Sequence, residues 1–415
     1  MERKLQEIRA VVKDRVMNSL DFSREITDRE MYEIIDREIS VQLRHRAVTL
    51  EERKSLRQQV FHSIRKLDVL QHLVDDPTIT EIMVNGTDNI FIEKNGVIME
   101  SDCRFESRQR LEDVVQQIVS SCNRVVNESS PIVDARLDNG SRVNIVLSPV
   151  ALNGPIVTIR RFPEKPITMR RLIELGSISE YLKNYIEVLI KAGYNIFISG
   201  GTGSGKTTFL NALSDFIPKD QRLISIEDNA ELQILGVPNL VRMEARNANV
   251  EGCKPITIRD LIKSSLRMRP DWIVVGEVRG DECVDMLQAM NTGHMAMSTG
   301  HANSAEDMLS RIETMVLMGM EIPLPAVRGQ IASGIDIVVH LGRLRDRTRK
   351  VLEICELEKE LDPKSGRIKV NTLFKFEEEG EDERGKIIGK WRKVSELKAT
   401  EKLMAAGLSL PEGDK

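Results

Sequence analysis

The segment from Gly200 to Thr208 reads GGTGSGKTT and decides the fold of this chain. It fits the pattern G-x-x-x-x-G-K-[ST], in which glycines let backbone N–H groups turn inward around a phosphate. Residues 194–199, YNIFIS, predict an apolar strand before it, and residues 208–213, TFLNAL, predict a helix after it. We therefore predict an α/β domain that binds a nucleoside triphosphate at this phosphate loop.

The residues of the phosphate loop have distinct expected roles. Lys206 should reach the terminal phosphates, and the hydroxyl of Thr207 should hold Mg²⁺. Backbone N–H groups and the positive end of the following helix would hold the other phosphate oxygens. The predicted phosphate-binding residues are Gly200, Gly201, Thr202, Gly203, Ser204, Gly205, Lys206, Thr207 and Thr208. A glycine-rich turn with a chance lysine is the alternative, and the flanking strand and helix disfavour it.

The length and amino-acid composition argue against several classes of protein. A chain of 415 residues predicts two or three domains, and a net charge of −4 with 4% aromatic residues argues against an extended nucleic-acid surface. The charged N-terminus predicts no signal peptide, and no apolar run approaches the roughly 20 residues of a membrane span. Five cysteines without C-x-x-C spacing predict free thiols in a reducing cytoplasm and no zinc site.

Changes in the sequence pattern divide the chain into five predicted regions. The predicted regions are a helical segment (1–64), an α+β domain (65–162), a linker (163–179), the α/β domain of the phosphate loop (180–370) and a C-terminal hairpin and helix expected to be an appendage (371–415). The linker follows from Phe162-Pro163-Glu164-Lys165-Pro166, which breaks the preceding strand and predicts a hinge. Alternating strands and helices after residue 180 indicate an α/β domain.

Residues 1–64 predict a small helical hairpin or bundle. Asp21 and Thr27 are expected N-caps. Because the charge is mixed in sign, a solvated helical surface is favoured over a nucleic-acid patch. The apolar residues at helical spacing are Leu5, Ile8, Val12, Val16, Ile34, Ile35, Ile39 and Leu43.

Two acidic stretches predict hydrolysis. It needs a carboxylate that orders water and positive charge for the transition state. Three carboxylates in residues 226–231, IEDNAE, follow one predicted strand, and VVGEVRG at 274–280 ends another with Glu277 and Arg279. Gly276 stands where many such enzymes have the magnesium-holding aspartate, so we expect the cluster around Glu227 and Glu231 to supply that carboxylate, and Glu277 to activate water.

Two histidines seven residues apart, His294 and His301, follow in the stretches TGH and STGH. A polar residue just after a core strand could sense the γ-phosphate. Each histidine could instead form structural hydrogen bonds, the acids of residues 227–231 could cap helices, and Arg279 could simply pair with an acid. The spacing, without a cysteine or third ligand, does not fit a zinc pair.

Four spaced motifs together resemble the secretion ATPase superfamily, which includes type II secretion, type IV pilus and type IV secretion motors. They are GGTGSGKTT, IEDNAEL, RMRPDWIVVGEVRG and the histidine stretches QAMNTGH and STGHANSAEDMLSR. More narrowly, RGQIASGIDIVVHLGRLRDRTRKVLEI, SPVALNGPIVTIRRF and the helical N-terminal segment resemble the tight-adherence (Tad/Flp) pilus assembly ATPases. The resemblance covers residues 66 to 360 well.

The resemblance implies a RecA-like domain preceded by a PAS-like α+β domain, with ATP and Mg²⁺ bound between them. It further implies a cytoplasmic homohexamer, docked peripherally on inner-membrane platform proteins of a pilus or secretion system, with no nucleic-acid partner. Arginines of the N-terminal domain or linker would reach the phosphates, and the candidates are Arg136, Arg142, Arg160 and Arg161.

Other functions remain open. A conjugation-type secretion motor or a DNA-translocating ATPase would share the hydrolytic residues, although balanced charge and few aromatic residues disfavour DNA. A nucleotide-gated scaffold with little turnover is disfavoured by Glu277 and Arg279. The interval from His294 to His301 looks one residue shorter than in many tight-adherence relatives, and the cysteine zinc module of many type II secretion ATPases is absent.

Overall fold

The computed structural model describes residues 2–20, 24, 26–44, 48–94, 96–122, 124–137, 139–161, 166–246, 254–383 and 385–412. The chain forms two compact units, Met1–Glu164 and Lys165–Lys415. The predicted N-cap Asp21, the hinge residues 162–165 and Cys253 lie outside the described residues. Within the described ranges, no helix is long and apolar enough to cross a membrane.

The first unit combines helices with an antiparallel sheet. Its helices are α1 (Glu2–Ser19), α2 (Asp28–Gln42), α3 (Leu50–Arg65), α4 (Gln71–Asp75) and α5 (Arg108–Ser121). Its strands are β1 (Ile79–Asn85), β2 (Asn89–Lys94), β3 (Val97–Glu100), β4 (Ile132–Arg136), β5 (Arg142–Val146) and β6 (Ile156–Arg160).

The first three helices form one bundle. Thr27 caps α2 in a capping box with Glu30, which confirms the predicted N-cap, and Thr49 does the same for α3 with Glu52. Both boxes satisfy backbone N–H groups that have no partner inside a helix. The core they enclose contains Ile8, Val12, Val16, Met31, Ile35, Ile39, Leu56, Val60 and Phe61.

The six strands follow the order β3-β2-β1-β6-β5-β4, and every neighbouring pair is antiparallel. Residues of β5 and β6 alternate between buried and part-buried positions, so one face of the sheet packs and the other stays accessible. The buried face joins α5 through Val114, Val115 and Ile118. The edge strand β4 was not foreseen, because none of its residues is buried and its sequence shows no apolar pattern.

The second unit is α/β. Its helices are α6 (Met169–Glu174), α7 (Glu180–Lys191), α8 (Lys206–Ser214), α9 (Ile258–Ser265), α10 (Glu282–Asn291), α11 (Ala305–Gly319), α12 (Leu324–Gly334) and α13 (Glu401–Ala406). Its strands are β7 (Ile196–Gly200), β8 (Leu223–Glu227), β9 (Leu240–Glu244), β10 (Trp272–Val275), β11 (Met295–His301), β12 (Ile337–Arg343), β13 (Arg349–Leu361), β14 (Ile368–Glu381) and β15 (Ile387–Lys393).

These nine strands form one sheet in the order β15-β14-β13-β12-β7-β11-β10-β8-β9. The strands from β12 to β9 are parallel, and β13 to β15 add to them antiparallel. Alternate residues of β7 enter two hydrophobic clusters on opposite faces, Ile196 and Ile198 on one and Phe197 on the other. The carboxyl ends of β7, β8, β10 and β11 therefore share one edge, where a ligand crevice forms in such sheets. The predicted α/β fold is confirmed.

The C-terminal hairpin is an integral part of this sheet. The prediction of an appendage after residue 370 was wrong, because residues 368–375 of β14 pair with β13. The following residues also attach to the core: the Tyr194 hydroxyl donates to the Ala399 carbonyl oxygen at 2.5 Å, and Lys402 pairs with Asp336. The charged sequence concealed this, since only a few residues of the hairpin, such as Leu373 and Phe374, are buried.

Candidate active site

The phosphate loop has the cradle conformation that the sequence predicts. It joins the end of β7 to the start of α8, and Gly203 and Gly205 have φ angles of +71° and +93°, which favour glycine. A β-carbon on Gly200 would lie 2.5 Å from the Leu341 carbonyl oxygen. No atom lies within 4 Å of the corresponding position on Gly201, so the space beside this residue is open.

Lys206 points back across the loop. Its Nζ donates to the carbonyl oxygens of Gly200 and Gly201, both at 3.0 Å, and lies 3.2 Å from Nδ1 of His301. Burial lowers the pKa of Lys206. Because an ammonium group only donates, Nδ1 of His301 is the acceptor, and the proton of a neutral imidazole then lies on Nε2.

The other side of His301 faces Glu277. Nε2 of His301 lies 2.9 Å from Oε1 of Glu277, and Arg279 donates to Oε2 of Glu277 at 2.6 Å. Lys206, His301, Glu277 and Arg279 thus form a continuous set of contacts at the carboxyl edge of the sheet, which we call the four-residue network. Oε1 of Glu277 is buried and accepts no well-aligned hydrogen bond among the described residues, although Nε2 of His301 faces it.

Electrostatics favour a neutral histidine in this network. Burial lowers the pKa of His301, the charge of Lys206 lowers it further, and Glu277 opposes both. The pKa of Arg279 is raised, first by its hydrogen bond to Glu277. A neutral imidazole can accept a hydrogen bond from Lys206 and donate one towards Glu277 at the same time. The protonation of His301 can therefore change when Lys206 leaves it to bind a phosphate.

Glu227 has a different environment from the one expected of a magnesium ligand. It is 3% exposed, and its Oε2 accepts the backbone N–H groups of Glu231 at 2.7 Å and Leu232 at 2.9 Å. Burial raises the pKa of Glu227 to about 6. A β-carbon on Gly276 would lie 3.1 Å from Cγ of Glu227, so Gly276 leaves the room that this side chain fills. Glu227 therefore fixes the loop after β8.

The remaining acids of this stretch lie near Arg279. Asp228 lies 3.9 Å from the Arg279 guanidinium. The charge of Glu231 contributes to the raised pKa of Arg279. In the described ranges, no three His, Cys, Asp or Glu residues form a ready-made metal cluster. This fits Mg²⁺, which is commonly bound through phosphates, waters and one or two carboxylates. Thr207, the second residue of α8, and an acid of this stretch could complete such a set.

The two predicted histidines do not meet. His301 is the last residue of β11, whereas His294 precedes its first residue and contacts the Thr292 hydroxyl at 3.3 Å. Seven residues of strand span about 23 Å, so His294 lies at the opposite edge of the sheet from the phosphate loop of its own chain. The expectation that both histidines face the phosphate is therefore corrected to His301 alone.

The predicted arginines of the first unit separate into two groups. Arg136, Arg142 and Arg160 lie opposite one another on β4, β5 and β6, and so share one face of the sheet. Arg161 instead donates to the backbone carbonyl oxygens of Asp76 and Ile79, which ties it to its own unit.

One buried histidine was missed by the sequence analysis. His340 on β12 is 7% exposed, and its Nδ1 lies 3.1 Å from Oγ of Ser199, the residue before the phosphate loop. The Ser199 hydroxyl also lies 3.2 Å from the Ser304 carbonyl oxygen, to which it can donate. A polar residue inside the apolar run IVVHL was the available signal.

Comparison with known proteins identifies the family of this chain. Residues 64–393 match the family described as "Type II/IV secretion system protein". Conjugal transfer protein TrbB of Rhizobium radiobacter is 31% identical over 306 residues, covering 71% of this chain and 90% of that protein. Type IV secretion system protein VirB11 of Brucella suis biovar 1 is 31% identical over 308 residues, covering 66% and 84%.

A solved structure shows the same fold. The pilus retraction motor PilT with bound ADP superposes with a TM-score of 0.50 at 18% identity, covering 74% of this chain and 81% of that chain. The chain belongs to the type II/IV secretion system protein family and is an ATPase.

Proposed function

We propose that this ATPase couples ATP hydrolysis to the export of macromolecules through a membrane-bound secretion or pilus system. The observation that carries the proposal is the four-residue network, which connects the phosphate-loop lysine to the partly buried carboxylate of Glu277 at hydrogen-bonding distances. Membership of a secretion family supplies the context.

In this proposal each residue of the site has a defined role. The phosphate-loop residues Gly200–Thr208 hold the phosphates, with Lys206 on the terminal phosphates and Thr207 on Mg²⁺. Mg²⁺ would neutralise developing negative charge when bound. Glu277 accepts a proton from the attacking water.

The neighbours of Glu277 would couple its proton transfer to nucleotide binding. When Lys206 turns to the phosphates, His301 loses its contact to that lysine. The protonation of His301 can then change with the charge of the nucleotide. Arg279 holds the Glu277 carboxylate through its hydrogen bond to Oε2. The charge of Glu231 acts on Arg279 as well. Glu227 acts as a positioning residue through its bonds to the backbone at 231 and 232.

We also propose the larger organisation. Residues 65–162 and 180–370 would act as two domains about the linker 163–179, with residues 371–415 completing the second domain and 1–64 an additional helical segment. Six copies in a cytoplasmic ring would dock on inner-membrane platform proteins. The aligned Arg136, Arg142 and Arg160 are suited to reach phosphates from the N-terminal domain, because one sheet face presents all three.

Two kinds of system are candidates for the partner. The Tad/Flp pilus is favoured by the run 328–354 in the sequence, and a conjugation-type secretion system is favoured by relatives named as conjugal transfer and VirB11 proteins. Both candidates use the same hydrolytic site and differ in cargo.

A genetic replacement tests the proposed function. In the source organism, Glu277→Gln should abolish surface pili or exported cargo while the protein stays at its normal level, because the motor binds ATP without turning over. Glu306→Gln, an exposed acid on the same edge of the sheet, is the matched control and should export normally. Loss of surface pilin would favour the pilus, loss of DNA transfer would favour conjugation, and unchanged export of both would refute the proposal.

A further inference from the structure

Two arginines lie over the tip of the phosphate loop in a place that neither the motifs nor the family resemblance assigns. They flank the hairpin between β12 and β13: Arg343 ends one strand, Arg349 begins the next, and the two are direct partners in the antiparallel register. Since β12 is a parallel neighbour of β7, the hairpin starts beside the strand that leads into the phosphate loop.

Contacts fix the position of both side chains. Nε of Arg349 donates to the Gly203 carbonyl oxygen at 2.8 Å, and its Cδ would lie 3.4 Å from a β-carbon on Gly205. An amino group of Arg343 would lie 3.9 Å from a β-carbon on Gly203. Because Gly203 and Gly205 form the tip of the loop, both guanidinium groups lie against the segment that wraps a phosphate.

The charges of this pair are not compensated by acids. Like charges directly opposite each other on antiparallel strands destabilise the pair, and neither arginine forms an ion pair with a carboxylate among the residues the structure describes. The next arginine on the hairpin differs: Arg345 pairs with both Glu378 and Glu381. Two adjacent guanidinium groups without acids, at a phosphate loop, form a site suited to an anion.

We propose that Arg343 and Arg349 bind phosphate oxygens of the nucleotide held by the phosphate loop. The inference rests on the proposed use of ATP and adds two cationic ligands from the same domain as the loop. Nε of Arg349 can stay on Gly203 while its terminal amino groups turn to the phosphate, since a guanidinium has five N–H donors. Exposed Arg343 turns without breaking a described contact.

The test compares nucleotide with bare phosphate. The double variant Arg343→Ala/Arg349→Ala should bind ATP about ten- to a hundredfold more weakly than the wild type, because it lacks charge-assisted hydrogen bonds. Its affinity for inorganic tripolyphosphate should fall by a similar factor, since the lost contacts are to phosphate. Equilibrium binding to the purified full chain measures both, with thermal unfolding to verify that the variant is folded.

Control variants separate this inference from the proposed function. Arg345→Ala removes one positive charge from the same hairpin and should bind ATP as the wild type does, whereas Lys206→Ala should lose ATP binding. If Lys206→Ala loses binding and the double variant does not, the arginine assignment fails and the nucleotide site stands. A loss for ATP but not for tripolyphosphate would also overturn it, because the arginines would then contact the base or ribose.

A second pair of variants guards against misfolding. If the double alanine variant does not fold, Arg343→Gln and Arg349→Gln replace it, because glutamine removes the positive charge and keeps a polar side chain. Each should weaken ATP binding, and wild-type affinity in both would overturn the proposal. A wild-type chain that binds neither ATP nor tripolyphosphate would instead overturn the proposed function itself.

Discussion

Replacing Glu277 by Gln is expected to lower steady-state ATP hydrolysis by about 10²–10⁴-fold, the usual contribution of a general base, while ATP still binds. The glutamine amide cannot accept a proton from water, whereas it has nearly the same size and can still accept a hydrogen bond from Arg279 or His301. Phosphate release and ATP affinity are measured on the same preparation, so that loss of turnover is separated from loss of binding.

The contrast with a neighbouring acid makes this result specific. Glu306→Gln removes an exposed carboxylate from the first turn of α11, outside the four-residue network, and should hydrolyse ATP at the wild-type rate. Unchanged turnover in Glu277→Gln would remove Glu277 from its assigned role. Loss of binding in the same variant would mean that Glu277 holds the nucleotide rather than activating water.

Gly276→Asp is expected to destabilise the second unit by about 2–4 kcal/mol at neutral pH, the range for overpacked buried sites. The new β-carbon would lie 3.1 Å from Cγ of Glu227, and its carboxylate would be brought close to a buried carboxylate. In this chain, Glu227 occupies the space that an aspartate side chain at position 276 would need. Urea denaturation followed by far-UV circular dichroism gives the change in unfolding free energy.

The pH dependence of this destabilisation has a predicted sign. The pKa of Glu227 is raised to about 6 in the folded protein, so the folded state binds its proton more tightly than the unfolded chain does. The stability cost of the buried charge is therefore present above about pH 6, amounts to about 2 kcal/mol and diminishes as the pH falls through this pKa. The carboxylate introduced by Gly276→Asp repels Glu227 only while Glu227 is ionised, so the deficit of this variant should be smaller at acidic than at neutral pH.

A helical glycine provides the matched control. A β-carbon on Gly329 of α12 meets no atom within 4 Å, so Gly329→Ala should leave stability unchanged or raise it by about 0.5–1 kcal/mol. If Gly276→Asp were as stable as Gly329→Ala at neutral pH, the explanation of Gly276 through Glu227 would be wrong.

Local sequence was sufficient where one stretch determines its own structure. The phosphate loop follows from its glycines, and β10 (Trp272–Val275) consists of four apolar residues that follow Pro270-Asp271. Thr257 forms a capping box with Asp260 at the start of α9, and both partners lie within one turn. Each of these features depends on residues that are close in the chain.

Contacts between segments that are distant in the chain could not be predicted from local sequence. The motif order placed His294 and His301 together, yet a strand runs between them and carries only His301 to the ligand edge. The approach of Arg349 to Gly203 joins residues far apart in the chain, and it depends on β12 lying beside β7. Similarly, Glu227 is recognisable as a positioning residue only from the backbone groups that it binds.

Proton uptake on binding a non-hydrolysable ATP analogue tests most directly whether His301 connects Lys206 to Glu277. Titration calorimetry in buffers of different ionisation enthalpy, at about pH 6, would compare wild type with His301→Gln. Phosphates that draw Lys206 away and add negative charge should raise the pKa of His301, so the wild type should take up more protons than the variant. Equal proton uptake by the two proteins would contradict the four-residue network as the connection between nucleotide and catalytic carboxylate.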